Sequence, residues 1–219
     1  MILLDATTVA VTKSESMIDI MLKGGWILVP IFLMSIFAVY YMVERYTVFQ
    51  HALKVDKNIV DDICGHIKHG NLAKAHELAS GYNHPIGRVI VAGLSNPARK
   101  IEDIEQIMAE ETKNEIFILE KNLGYLGSIA TIAPMFGFLG TIFGVIKIFY
   151  NISLADNISI GLIAGGLYQK MVSSAAGLTV GIFTYAGYYY LNNRVDVFVN
   201  RMERNLSPVV NAIRDSRLS

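Results

Sequence analysis

The stretch LGYLGSIATIAPMFGFLGTIFGVI, residues 123–146, carries no charged residue and is long enough to cross a lipid bilayer. About 20 mainly apolar residues in a helix span the roughly 30 Å of bilayer hydrocarbon. The stretch also contains Pro134, several glycines and Thr141, which a helix surrounded only by lipid does not need. We therefore interpret it as a transmembrane helix whose small and polar residues serve packing or transport.

Two further stretches meet the same criterion. GGWILVPIFLMSIFAVYYMV, residues 24–43, ends at Glu44, and MVSSAAGLTVGIFTYAGYYYL, residues 171–191, lies between Lys170 and Arg194. Since the bilayer interior offers the backbone no water, each stretch is expected to be an α-helix. The sequence thus predicts an all-α membrane protein with three transmembrane helices.

Composition and charge place the rest of the chain in water. The 219 residues are 53% hydrophobic and 17% charged, with no net charge. Residues 44–122 hold ten Lys/Arg and twelve Asp/Glu, whereas residues 171–193 hold none. The sequence has no strongly basic patch of the kind that binds nucleic acid. Its single cysteine excludes a disulfide within the chain.

The distribution of lysine and arginine predicts the orientation. The tail from residue 192 holds five arginines, and residues 148–169 hold no basic residue. Basic residues favour the cytoplasmic side. The predicted order is an N-terminal outer or interfacial segment (1–23), the first span (24–43), a cytoplasmic helical domain (44–122), the second span (123–146), an outer connection (147–170), the third span (171–191) and a cytoplasmic C-terminal helix (192–219).

The cytoplasmic domain is predicted to be helical. Two short helices end at Gly70 and Gly81 and are expected to form a hairpin. From Ile101 onward, apolar residues recur at helical spacing and no proline intervenes before the second span. The pattern predicts one continuous helix from Ile101 to about Ile152.

Small residues in the second and third spans predict close helix packing. In lipid, helices associate through small residues that let their backbones approach. Pro134 removes a backbone donor, which is tolerated where neighbouring protein satisfies the freed carbonyl. The predicted packing residues are Pro134, Gly137, Gly140, Gly144, Gly177 and Gly181.

Hydroxyl residues accompany these glycines. A hairpin turning near residues 156–157 would place Thr141 and Ser174 at similar depth, and Thr184 shares the face of Ser174 on the third span. Two interpretations stay open, because such hydroxyls can join helices or line an ion pathway. No predicted span contains Asp or Glu, so a titrating acid would come from another chain.

Metal binding and enzyme activity are not predicted. Cys64, His66 and His69 lie close together in sequence, but no second cluster completes the three or four ligands that a metal needs. No grouping of nucleophile, base and acid indicates catalysis. We expect no cofactor and no covalent chemistry.

Four segments carry a resemblance to a known family. KGGWILVPIFLMSIFAVYYMVERYTVF (23–49), HPIGRVIVAGL (84–94), APMFGFLGTIFGVIKIF (133–149) and GLYQKMVSSAAGLTVGIFTYAGYYYLNNRV (166–195) resemble the ExbB/TolQ/MotA family of proton-channel subunits. The third segment is similar to the family's A-P-x-x-G-x-x-G-T-x-x-G signature. The resemblance covers most of the chain and is greatest to ExbB and TolQ.

The resemblance implies a pentameric ring in the bacterial inner membrane, with the N-terminus periplasmic and the C-terminus cytoplasmic. The ring would enclose two membrane helices of an ExbD/TolR-type partner, whose aspartate carries protons. The family carries a glutamate where this chain has Gln169. By position the resemblance assigns Thr141 and Ser174 to the ion pathway. The predicted pathway also includes Thr184, Gln169 and Lys170, with snorkelling to the outer interface as the alternative for Lys170.

The implied function is an ExbB-like subunit that couples proton flow to outer-membrane transport through a TonB-type protein. A TolQ-like role in envelope constriction is the nearest alternative. A MotA-type role fits less well, because three spans are predicted rather than four. A membrane scaffold that conducts no ions is the alternative from another functional class.

Overall fold

The computed structural model describes residues 25–96, 99–154 and 160–218. Within these residues the chain is helical and contains no β-strand, which confirms the predicted all-α class. The predicted N-terminal segment (1–23) and the predicted turn at 156–157 lie outside the described residues. In chain order the helices are α1 (Leu28–Ala52), α2 (Lys57–Lys68), α3 (Leu72–Gly81), α4 (Pro85–Leu94), α5 (Ile101–Glu120), α6 (Leu123–Ser153) and α7 (Ile160–Leu218).

Among the described residues, two helical stretches are long and apolar enough to cross a membrane. They are α1 and the run formed by α5 and α6, Ile101–Ser153. In their most apolar windows only 17% and 28% of the residues are buried within the chain. Apolar helices that bury so little against their own chain fit a lipid environment. The third predicted span, residues 171–191, lies within α7 and is not one of these two stretches.

The chain divides into two compact units. The first comprises the described residues of Met1–Ser35 and Thr131–Ile182, and the second those of Ile36–Ala130 and Phe183–Ser219. The first unit therefore contains most of the glycine-rich part of α6 and the beginning of α7. The second contains the short helices α2 to α5.

Polar caps define the short helices of the second unit. Asp56 caps α2 by accepting the N–H of Asn58 at 3.0 Å, and Asn71 caps α3 by accepting the N–H of Lys74 at 3.2 Å. Between them Gly70 has φ +73°, a conformation that glycine adopts without a Cβ penalty. Both predicted helices are present, and Gly70 follows the end of α2.

A continuous hydrophobic core holds the second unit together. Its fully buried side chains include Phe49 of α1, Ile63 and Ile67 of α2, Ile90 of α4 and Met202 of α7. Burying one such side chain contributes about 1.5–3 kcal/mol relative to exposing it. Helices far apart in sequence are thereby joined in one core.

The predicted continuous helix from Ile101 through the second span is wrong, because α5 ends at Glu120 and α6 begins at Leu123. Asn122 has φ +70°, a left-handed conformation that asparagine tolerates better than most residues. Its Nδ2 donates to Oε2 of Glu44 at 3.2 Å. The break between α5 and α6 thus coincides with a hydrogen bond to α1, and no proline in the sequence indicates it.

Arg45 caps the end of α5. It is 6% exposed, and its Nη1 donates to the carbonyl oxygens of Ile118 at 3.1 Å and Leu119 at 3.4 Å. Its guanidinium also pairs with Glu44. The last carbonyls of a helix lack intrahelical partners. Arg45 supplies hydrogen-bond donors to two such carbonyls of α5 and thereby connects the end of α5 to α1.

Candidate functional site

In the first unit, α6 and α7 approach each other closely at glycines. A Cβ added to Gly177 would lie 2.6 Å from the carbonyl oxygen of Ala133 and 2.9 Å from Cα of Gly137. A Cβ added to Gly137 would lie 3.1 Å from the carbonyl oxygen of Ser173. Ordinary Cβ atoms do not approach backbone as closely as the first two distances, so this contact depends on the missing side chain of Gly177.

The same contact continues along α6 at Gly140 and Gly144. A Cβ added to Gly140 would lie 2.8 Å from Oγ of Ser173, and one added to Gly144 would overlap the side-chain carbons of Lys170. Ser173 is fully buried, and its hydroxyl donates to the carbonyl oxygen of Lys170 at 2.8 Å. Side chains of α7 therefore fill the glycine-rich face of α6 within one chain.

Lys170 lies across this contact. Its side chain is half-buried, and its Nζ is 3.7 Å from the position that a Cβ would take at Gly25, just before α1. No acidic residue occurs among the described residues of the first unit, so none pairs with this ammonium there. The neighbouring side chain of Gln169 lies outside the described part of the structure.

Thr141 and Ser174 lie at the edge of the contact. Both side chains are half-buried, and the Thr141 hydroxyl donates to the carbonyl oxygen of Phe138 at 2.6 Å. The carbonyl oxygen of Ser174 is 3.1 Å from the position of a Cβ at Gly137. Two hydroxyl side chains thus border a glycine contact while remaining partly open to the surroundings of the chain.

The other predicted residues lie in different environments. Thr184, in the second unit, is 2% exposed and interacts within the chain, and Gly181 is buried. Pro134 lies within α6, where an apolar surface groove of about 710 Å³ runs past it and past Met135 and Leu178. An apolar face of this kind suits lipid or another helix.

The second unit contains an ion pair that the sequence analysis did not predict. Arg88 of α4 donates through Nε to Oε1 of Glu115 at 2.5 Å and through Nη2 to Oε2 at 2.7 Å, and Glu115 of α5 is 1% exposed. The hydrogen bond to Glu115 raises the pKa of Arg88 above its ordinary value. The signal in the sequence is a single arginine in the otherwise uncharged helix PIGRVIVAGL, since charged residues seldom lie in such helices unless paired.

Cys64 of α2 and His69 just after that helix lie in different environments. Cys64 is buried, and burial raises the pKa of its thiol, which makes it less reactive. The Nδ1 of His69 lies 2.8 Å from the carbonyl oxygen of Gly65. Among the described residues, no group of three His, Cys, Asp or Glu side chains could hold a metal ion.

Comparison with known proteins identifies the family. Residues 82–204 match the MotA/TolQ/ExbB proton channel family. Biopolymer transport protein ExbB-like 1 of Synechocystis is 29% identical over 176 residues, which cover 78% of this chain and 69% of that protein. The Tol-Pal system protein TolQ of Haemophilus influenzae is 27% identical over 109 residues, covering 50% and 46%. Biopolymer transport protein ExbB of Neisseria gonorrhoeae is 32% identical over 78 residues, covering 36% of each.

Proposed function

This chain belongs to the MotA/TolQ/ExbB proton channel family, and we propose that it is the ring-forming subunit of an ExbB-like motor in the bacterial inner membrane. In this proposal five copies surround two membrane helices of an ExbD/TolR-type partner. Proton flow through that assembly drives outer-membrane transport through a TonB-type protein. An ExbB-like relative aligns with 78% of the chain, and a TolQ-like role in envelope constriction is the alternative.

The proposed ion pathway follows α6 and α7. The observation that carries it is the half-buried state of Thr141 and Ser174 beside the glycine contact. The Thr141 hydroxyl donates to Phe138 but is partly exposed and can still accept a hydrogen bond from a group outside the chain, as can Ser174, whereas Ser173 is fully buried. The predicted spans contain no Asp or Glu, so the proposal assigns the proton-carrying carboxylate to the partner.

The other predicted pathway residues have supporting roles at the two ends of the pathway. Gln169 cannot exchange protons, so it serves as a hydrogen-bonding residue near the outer end. Lys170 lies near that end, where its ammonium can pair with an acidic group of the partner. Thr184 contributes to packing at the inner end, in keeping with its burial.

The proposed orientation places helices α2 to α5 of the second unit in the cytoplasm. Aromatic residues are enriched where membrane helices meet water. In the second unit Tyr41 stacks on Tyr125 with ring centroids 5.4 Å apart, and the Arg194 guanidinium lies 4.9 Å from the centre of the Tyr190 ring. These aromatic contacts on α1, α6 and α7 support a membrane boundary at this level of each helix.

The double variant Thr141→Val with Ser174→Ala tests the pathway. Each lost hydrogen bond is worth about 0.5–1.5 kcal/mol, so for the two together we expect proton flow to fall by about 5- to 150-fold. The measurement is the rate of pH change in vesicles that hold the chain together with its ExbD-type partner. Native mass spectrometry of the same samples reports whether the ring remains assembled.

Thr179→Val is the matched control, because Thr179 is an exposed α7 residue whose hydroxyl donates to the carbonyl oxygen of Ala175 at 2.8 Å. It should leave the flow unchanged. Normal flow in the double variant would contradict the pathway assignment. A complex of normal composition that conducts no protons even in the unmodified protein would favour the scaffold alternative.

A further inference from the structure

A buried histidine stands at the start of α4, far from the proposed ion pathway in sequence. His84 is 2% exposed. Its ring stacks on Tyr82 with centroids 5.0 Å apart and an interplanar angle of 11°, and the ring of His51 at the end of α1 lies 6.0 Å away. A titratable side chain is thus enclosed where α1, the loop after α3 and α4 meet.

The hydrogen bonds of His84 define its protonation state. The N–H of Ile86 donates to Nδ1 at 3.3 Å, which makes His84 the N-cap of α4. Nδ1 must therefore carry a lone pair, and in the neutral ring the proton resides on Nε2. Nε2 is buried and has no hydrogen-bond partner among the described residues.

The groups that face His84 make a positive charge unfavourable. His51 from α1 and Arg88 one turn into α4 do so through their charge, whereas Tyr82 from the loop after α3 only stacks on the ring. The N-terminus of a helix carries a partial positive charge, which also disfavours a cation there. A protonated Nδ1 could no longer accept the N–H of Ile86, so the cap of α4 would be lost with the same proton.

We propose that His84 is an acid-sensitive latch, whose protonation releases the N-terminus of α4 from α1 and the Tyr82 loop. The release would reach α5, because Arg88 of α4 is bound to the buried Glu115 of α5. Helix α5 is followed after a two-residue break by α6. The latch therefore reports the acidity of the compartment that surrounds the second unit, and it does not depend on the proposed ion pathway.

The direction of the pH effect follows from burial. Burial lowers the pKa of His84 below its ordinary value near 6.5, and His51 and Arg88 lower it further, while the nearby backbone carbonyls of Ala52 and His51 offset part of this. The open state then binds the proton more tightly than the closed state. The latch is fully stable above about pH 6.5 and loses stability as the pH falls from there to the lowered pKa.

Hydrogen exchange of the full chain in lipid nanodiscs tests the latch. Between about pH 7.5 and 5.5, opening at the first amides of α4 should rise by up to about tenfold after correction for intrinsic exchange rates. His84→Asn retains a capping acceptor but cannot titrate, so it should abolish this rise. The matched control His69→Asn alters an exposed histidine and should leave the rise in place.

A second variant keeps the test decisive if His84→Asn does not fold. His51→Asn removes a neighbouring charge that lowers the pKa of His84 in the closed latch, so the rise in exchange should begin at the same pH but be smaller than in the unmodified chain. An unmodified chain whose α4 exchange does not respond to pH would overturn the proposal. So would a rise that persists in His84→Asn, or a rise of undiminished size in His51→Asn.

Discussion

Single atoms decide whether α6 and α7 can pack as they do. The carbonyl oxygen of Ala133 lies 2.6 Å from the place where a Cβ would stand on Gly177. Backbone carbonyls cannot rotate aside as a flexible side chain can. The spacing of small residues indicates which helix faces can approach each other, but only coordinates show that Gly177 has backbone against it whereas Gly165 has nothing within 4 Å.

We expect Gly177→Ala to destabilise the chain by about 1–3 kcal/mol, because the added methyl forces α6 and α7 apart. For a chain of this length the shift corresponds to a Tm lower by roughly 2–12 °C in detergent, measured by differential scanning fluorimetry. Gly165→Ala is the matched control on the same helix. Since alanine favours helix over glycine, its Tm should stay the same or rise. Equal losses in both variants would contradict the close contact.

At the scale of helices, the break between α5 and α6 shows how a tertiary contact overrides a local pattern. The apolar spacing from Ile101 and the absence of proline indicated one helix, and both observations are local. The break involves Glu44 and Arg45, more than 70 residues away along the chain. Arg45 donates hydrogen bonds to the last carbonyls of α5. Glu44 accepts a hydrogen bond from Asn122 and so supports its left-handed conformation.

Substitutions at Asn122 separate its backbone role from its side-chain role. Asn122→Val loses the hydrogen bond to Glu44 and places a β-branched residue at φ +70°, so we expect a loss of about 2 kcal/mol and a Tm lower by about 4–8 °C. Asn122→Gly loses the hydrogen bond but relieves the backbone, so its loss should be about 1 kcal/mol or less. The same thermal measurement compares the two. A valine variant as stable as the glycine variant would show that α5 and α6 can join in one helix.

At the scale of the whole chain, the proposed topology rests on the uneven distribution of basic residues between the tail and the connection before the third span. The tail from residue 192 holds five arginines and residues 148–169 hold none, which favours a cytoplasmic tail and an outer connection. The single cysteine, Cys64, is buried. The chain is therefore suited to labelling at introduced cysteines.

In a Cys64→Ala background, we expect Ser153→Cys to react with a membrane-impermeant maleimide in spheroplasts. Glu203→Cys should react only after the membrane is permeabilised. Both positions are exposed in the structure, so a difference in labelling reports the side of the membrane rather than burial. Labelling of Glu203→Cys in sealed spheroplasts would reverse the proposed orientation.

The amino-acid sequence alone determined the all-α class, the family and the two apolar stretches in α1 and α6, because lipid leaves the backbone few choices and apolar length is local information. The caps of α2 and α3 are also local, since each involves residues two or three positions apart. Only the tertiary structure decided the break at Asn122, the Arg88–Glu115 pair and the enclosure of His84. The break and the ion pair depend on a polar group finding its partner on another helix, and the enclosure of His84 depends on α1 and the Tyr82 loop packing against α4; no pattern along the chain encodes these partners.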